Sequence, residues 1–205
     1  MKKTVLNPAF YQHYSVEEVA QALLGKVLVT HKEGIYTSGM IVETEAYSGR
    51  HDKACHANNG KRTPRTEIMY AEGGHIYTYL IYGMHILFNV VTNMEGLADA
   101  VLIRAIEPLE GLEHMQVRRK LSHQQVGKGP GALCKALGIG KPDYGLYLEE
   151  ASGIWIEDRG IKVPEQEVVK APRVGVDYAG DDALLLRRYY LKNNMHVSKV
   201  IKNYS

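Results

Sequence analysis

Lys26-Val27-Leu28-Val29-Thr30-His31, the pair Glu33-Gly34 and the run from Ile35 to Tyr47 read together as a β-hairpin. The first run is β-branched and alternating, the pair is turn chemistry, and the second run resumes the strand pattern with Glu45 at its far end. Glu43 and Glu45 are two apart on that strand and share one face, with Val42, Thr44 and Ala46 on the other. A carboxylate flanked by apolar strand residues must be hydrogen-bonded, paired or neutralised to be buried there. Arg104, near the end of a second apolar strand from Ala100 to Ile106, is the cation expected to neutralise one of them. Two accounts fit this pattern. One is a structural Glu–Arg pair; the other is a carboxylate that positions and deprotonates water beside an arginine.

Outward from the hairpin, Ser15-Val16-Glu17-Glu18 has capping-box spacing and opens a helix that Gly25 stops. Residues 48–64 are polar and rich in Gly, Asn and basic residues, as in a functional loop, and one helical turn is expected over Thr66 to Tyr70. His75 to Tyr82 and His85 to Thr92 are strand-like and joined at Gly83. Pro108 to Lys120 reads as a helix, and Ala132 to Leu137 as another, opened by Gly129-Pro130-Gly131. Further strands are expected around 145–148, 153–156, 174–176 and 184–191. The expectation is α+β: a single mixed domain over residues 1–205, with a curved, mostly antiparallel sheet flanked by helices.

The composition agrees. Hydrophobic residues are 45% and charged residues 23%, which argues against disorder, and 205 residues can bury one sizeable core. Met1 to Leu6 resembles the start of a signal peptide, but Asn7, Pro8, Gln12 and His13 interrupt it, and no run reaches the length of a membrane span. Cys55 and Cys134 are too few for a disulfide scaffold or a thiolate zinc site, so a cytoplasmic protein is expected.

Net charge is only +2, yet the signs are segregated. Residues 50–65 hold five Lys/Arg and one acid, 118–141 six and none, and 187–202 five and none, whereas 142–158 hold five acids and no Lys or Arg. One basic face opposite an acidic back would suit a nucleic acid if the basic segments converge.

Tyrosine is over-used, with 14 Tyr against 2 Phe and 1 Trp, and it suits a wet surface that holds a ring. Tyr77 and Tyr79 face one way on their strand, Leu80 and Tyr82 the other. Tyr82-Gly83-Met84 at a strand tip beside a basic loop would make a wedge to enter a base stack. His51, Asp52, Cys55 and His56 match no common zinc spacing, so no metal is expected; His56 is the better pocket candidate. No Walker A, dinucleotide fingerprint or Gly-x-Ser-x-Gly elbow is present.

Several ordered blocks together resemble the alkyladenine (3-methyladenine) DNA glycosylase family. They are Leu23 to Lys26, Ile41 to Tyr47, Arg62-Thr63-Pro64-Arg65, Tyr79 to Met84 with Asn89, Val101 to Gly111, Gly129 to Leu137 and Pro172 to Val176. The resemblance implies a monofunctional enzyme, without metal or cofactor, that flips a damaged purine out of duplex DNA and cleaves its N-glycosidic bond with water. It assigns water activation to Glu45 and its support to Arg104. Tyr47, His56 and Tyr79 would sandwich the base, Asn89 would line the pocket, and Tyr82 would fill the gap in the duplex. Met84, Arg62, Arg65 and Arg173 are the further expected DNA contacts. A monomer without an obligate protein partner or membrane is expected. Arg50, His51, Lys53 and Cys55 depart from the family pattern, and substrate range is most exposed to them. The rivals are a non-catalytic damaged-DNA binder and a hydrolase of free nucleosides. The Glu45–Arg104 pair speaks against the first, and the basic segments with Tyr82 against the second.

Overall fold

The computed structural model describes residues 3–12 and 15–201. Met1, Lys2 and His13, used in the signal-peptide reading, and Lys202 of the last basic segment lie outside the described residues. In chain order the elements are β1 (Thr4–Val5), α1 (Pro8–Gln12), α2 (Val16–Ala22), β2 (Val27–Lys32), β3 (Ile35–Tyr47), β4 (Ile76–Ile81), β5 (His85–Thr92) and β6 (Asp99–Glu110). There follow α3 (Leu112–Arg119), α4 (His123–Val126), α5 (Pro130–Leu137), β7 (Ile154–Asp158), β8 (Val168–Ala171) and β9 (Arg188–Leu191). The strands form one antiparallel sheet in the order β1-β7-β2-β3-β6-β5-β4, with β9 on the second half of β3 and β8 beyond it.

The expected hairpin is β2–β3, paired from Val27↔Met40 to Lys32↔Ile35. Its turn places Glu33 at φ 53° and Gly34 at φ 75°, the mirror-image turn whose twist matches that of the strands. Helix α2 starts as its capping box requires: Ser15 Oγ accepts from Glu18 N, and Glu18 accepts from Ser15 N at 2.9 Å. Such a cap is worth about 1 kcal/mol. One face of the sheet buries α2, α3 and α5 through Val19, Leu23, Met115, Leu133 and Leu137. The other face is covered by the 48–70 segment, through Cys55, Ala57 and Met69 against Tyr77 and Val91.

Several expectations are corrected. Pro108, Leu109 and Glu110 belong to β6, not to a helix. β6 follows long β3 as far as Ser38↔Glu110, and a register shift between Ser38 and Gly39 takes in Pro108, which has no N–H to give the ladder. Arg104 is therefore mid-strand, and the helix begins after Gly111 at φ 70°. Residues 145–148 make only the isolated bridge His75↔Tyr147, and residues 174–176 are a bend; the strand in that region is β8, from Val168. Leu184 ends a 3-10 turn, and β9 starts at Arg188. Finally, the β3 bulge at Ile41–Glu43 turns Val42 toward Ala105, Ala171 and Tyr190, away from Ala46.

Candidate active site

Strand register assembles the site. Tyr77 pairs with Asn89, Asn89 with Leu102, Leu102 with Glu45, and Glu45 on its other edge with Arg188. These five residues form one row across five strands and share a face of the sheet. Residues two positions along, Tyr79, Leu87, Arg104, Ala100 and Tyr47, share that face and extend the row into a floor. Above it lies a cleft of about 750 Å³, walled by the 54–69 segment, by Val174 to Val176 with Tyr178, and by Gly129 to Ala132. Its size suits a ligand of nucleotide dimensions.

Glu45 is fully buried in this cleft wall and bonded on both oxygens. Oε1 accepts the main-chain N–H of Val174 at 2.8 Å. Oε2 accepts the Tyr47 hydroxyl at 2.8 Å and Arg104 Nη1 at 3.2 Å. Oε1 therefore keeps acceptor capacity for one further donor. Burial raises the Tyr47 phenol well above its ordinary pKa, and the neighbouring Glu45 charge adds to it, so the hydroxyl stays protonated and donates. Burial opposes the charge of Arg104, but Glu45 and Glu43 outweigh it and raise its pKa. Arg104 also binds Glu43 through Nε at 3.1 Å, so it bridges both carboxylates.

Sequence reasoning missed the second cation, Arg188, which is 2% exposed and donates to Glu43 Oε1 at 3.0 Å. Two carboxylates and two guanidinium groups thus balance in a dry site, as burial of charge requires. The alternating pattern pointed to Glu43 and Glu45; the arginine is identifiable only once β9 is known to pair with β3.

The aromatic residues gather as expected but not in parallel. His56 meets Tyr79 edge to face, with ring centroids 4.7 Å apart at 84°, because its Nδ1 is hydrogen-bonded to the Tyr77 hydroxyl at 2.7 Å. Tyr77 and Tyr79 stack at 5.6 Å and 27°. One face of Tyr47 is covered by the Arg173 guanidinium at 4.7 Å. Burial lowers the His56 pKa to about 4, and the charges of Arg65 and Lys61 push the same way, so the imidazole is neutral at pH 7. Asn89 is 4% exposed and held by the carbonyl of Tyr77 at 3.0 Å, fixing the face that its side chain turns to the cleft.

Tyr82 and Met84 stand out from the β4–β5 tip, 84% and 73% exposed. Tyr82 has φ 52° and Gly83 φ 70°, and Met84 N closes the turn on the carbonyl of Ile81 at 3.2 Å. Arg65 lines the cleft, while Arg62 is exposed, stacked on Tyr70 and paired with Glu67.

Arg173 is a correction. Its side chain is fully buried and makes a two-pronged pair with Asp52, so it is committed to the loop interior and does not face DNA. Asp52 is thereby removed from any metal reading: His51 is exposed, His56 is on Tyr77, and among the described residues no three His, Cys, Asp or Glu gather as ligands. Burial pushes the Cys55 thiol up to about 12 and raises that of Cys134 as well, which leaves both unreactive.

Basic segments converge only in part. Arg65, Arg119 and Lys128, from two of them, line the cleft, but Arg188 of the third is on Glu43 and Arg187 is on Glu17 and Asp52. The acidic segment is not a bare back either: Asp143 pairs with Lys32, Glu157 with Arg159, and Asp158 with Lys26, each at 2.6 Å.

A buried carboxylate bonded on both oxygens thus lies in an aromatic cleft beside the exposed Tyr82-Gly83-Met84 tip. Comparison with known proteins identifies the class. The model of the methylpurine-DNA glycosylase family matches residues 9–195, and the chain belongs to that family. Its relatives include proteins provisionally named 3-methyladenine DNA glycosylase. The one from Clostridium perfringens is 44% identical over 199 residues, covering 93% of this chain and 97% of its own. That from Bacillus cytotoxicus is 43% identical over 206 residues, covering 94% and 98%, and that from Clostridium acetobutylicum 45% over 194, covering 90% and 93%. The protein is a DNA glycosylase, a hydrolase of base-excision repair. Among the described residues no helix is long and apolar enough to cross a membrane.

Proposed function

We propose that this glycosylase excises 3-methyladenine and related alkylated or deaminated purines from duplex DNA, with Glu45 as general base on the attacking water. The observation that carries this reading is the bonding of Glu45, which lines the cleft and whose Oε2 is held by Tyr47 and Arg104 while Oε1, on Val174 N, keeps acceptor capacity for one further donor. A base inside a duplex is out of reach, so the nucleotide is extruded, at a cost of a few kcal/mol that damage reduces. Tyr47 and Tyr79 stack the everted purine, His56 borders it, and Asn89 meets its edge, recovering about 1–3 kcal/mol per stacked base. An alkylated purine is cationic, stacks well on electron-rich rings, and already departs readily. The enzyme then supplies an aimed water and a carboxylate beside the positive charge developing on the sugar.

Tyr82 and Met84 occupy the space that the extruded nucleotide leaves, and Arg62 and Arg65 contact phosphates. The reading includes a monomer of one domain acting without an obligate partner, and the two buried thiols suit a reducing cytoplasm. The decisive experiment is base release from 3-methyladenine duplex by wild type and Glu45→Gln. The variant should lose release by at least about 10²-fold while still binding the duplex; undiminished release would remove Glu45 from the chemistry.

A further inference from the structure

Glu43 does not line the cleft, yet it is bonded as heavily as Glu45. Its Oε1 accepts from Arg104 Nε at 3.1 Å and Arg188 Nη1 at 3.0 Å, and its Oε2 accepts the main-chain N–H of Ser198 at 2.7 Å. Ser198 Oγ in turn accepts from Arg104 Nη2 at 3.3 Å. Each of the three nitrogens of Arg104 therefore has its own partner: Glu43, Glu45 and Ser198. A planar guanidinium gripped at three corners has neither rotation nor tilt left. Arg188 anchors the same segment by donating to the carbonyl of Lys199 at 2.6 Å, and it reaches the carbonyl of Pro172 at 2.8 Å, next to the chain that offers Val174 N to Glu45. Ser198 lies beyond residue 195, where the family match stops.

We propose that Glu43, Arg188 and the main chain at Ser198 are a positioning frame for the reaction: without lining the cleft themselves, they hold Arg104 at Glu45, and so aim the carboxylate. This rests on the reading of Glu45 as the base. If Arg104 served only to neutralise, one contact to Glu45 would suffice, and the segment at Ser198 would have no bearing on rate. A frame is different, because a reacting group displaced by about 1 Å loses on the order of 10²-fold in rate while substrate binding is untouched.

The test uses four variants, each measured for single-turnover base release from 3-methyladenine duplex and for affinity to that duplex. Glu43→Gln weakens the grip on Arg104, Ser198→Pro removes the main-chain donor, Ser198→Ala keeps that donor, and Glu45→Gln is the reference for lost chemistry. Glu43→Gln and Ser198→Pro should slow release on the order of 10²-fold with affinity within about threefold of wild type, and Ser198→Ala, which keeps the main-chain donor but deletes the Oγ partner of Arg104 Nη2, should slow release by a smaller factor, about tenfold, with affinity equally unchanged. Wild-type release by Glu43→Gln and Ser198→Pro, with Glu45→Gln inactive, overturns the frame and leaves the base assignment standing. Parallel loss of affinity and rate also overturns it, since that marks general damage. Retained release by Glu45→Gln would instead overturn the reading of Glu45, and the frame with it. If Glu43→Gln does not fold, removal of residues 198–205 takes its place, with the same split expected and the same result overturning it.

Discussion

Tyr47 and Glu45, two residues apart on β3, are joined by a hydrogen bond of 2.8 Å in which a half-buried tyrosine donates to a fully buried carboxylate. The pair ties a stacking surface to the acid beside it. Tyr47→Phe keeps the ring and deletes the donor, so base release should fall about tenfold with lesion affinity little changed, and stability should fall by about 1 kcal/mol in urea unfolding. A drop in affinity alone would show that the hydroxyl serves substrate binding instead.

Asp52 holds Arg173, which covers the rear face of Tyr47. Asp52→Ala strands a guanidinium in a dry interior, and loss of about 3–5 kcal/mol in denaturant unfolding is expected. The double variant Asp52→Ala/Arg173→Met should recover much of it, because no uncompensated charge remains.

Tyr82 is exposed, so Tyr82→Ala should leave the melting temperature within a degree or two and act only on DNA. Affinity for a lesion in duplex should weaken far more than for the same lesion in a single strand. Equal effects on the two substrates would exclude a role in filling the duplex gap.

His56 gives the pH dependence its sign. Burial, with Arg65 and Lys61, lowers its pKa to about 4 in the folded state, so between there and the ordinary value near 6.5 the unfolded chain binds more protons. Stability is complete above pH 6.5 and declines as pH falls to 4, by about 3 kcal/mol at about 1.4 kcal/mol per pKa unit. Asp52, held below its ordinary value by Arg173 against the opposing effect of burial, adds a further loss at lower pH. His56→Gln should flatten the decline between pH 6.5 and 4 in urea titrations, and the His56 ring signals should titrate near pH 4.

The hairpin, the capping box and the shared face of Glu43 and Glu45 were legible because each is encoded within a few neighbouring residues. The row Tyr77–Asn89–Leu102–Glu45–Arg188 was not, since it depends on which strands lie side by side, and strand order is decided by packing of the whole sheet. Pro108 was misread for a related reason: a proline that suggests a helix start is tolerated in β6 only because a register shift in β3 lies opposite. Arg173 was expected as a DNA contact from the family resemblance, and only its pairing with Asp52, 121 residues away, reveals it as internal.

Glu45 lies in the stretch of β3 that is laddered on both edges, to β6 and to β9. A strand clasped on two sides cannot peel off alone, so its amides should exchange with solvent only when the entire molecule unravels. In the role proposed for it, the acid then has no half-loosened condition in which it could misdirect solvent at an undamaged sugar: on warming, fidelity should persist until activity itself disappears.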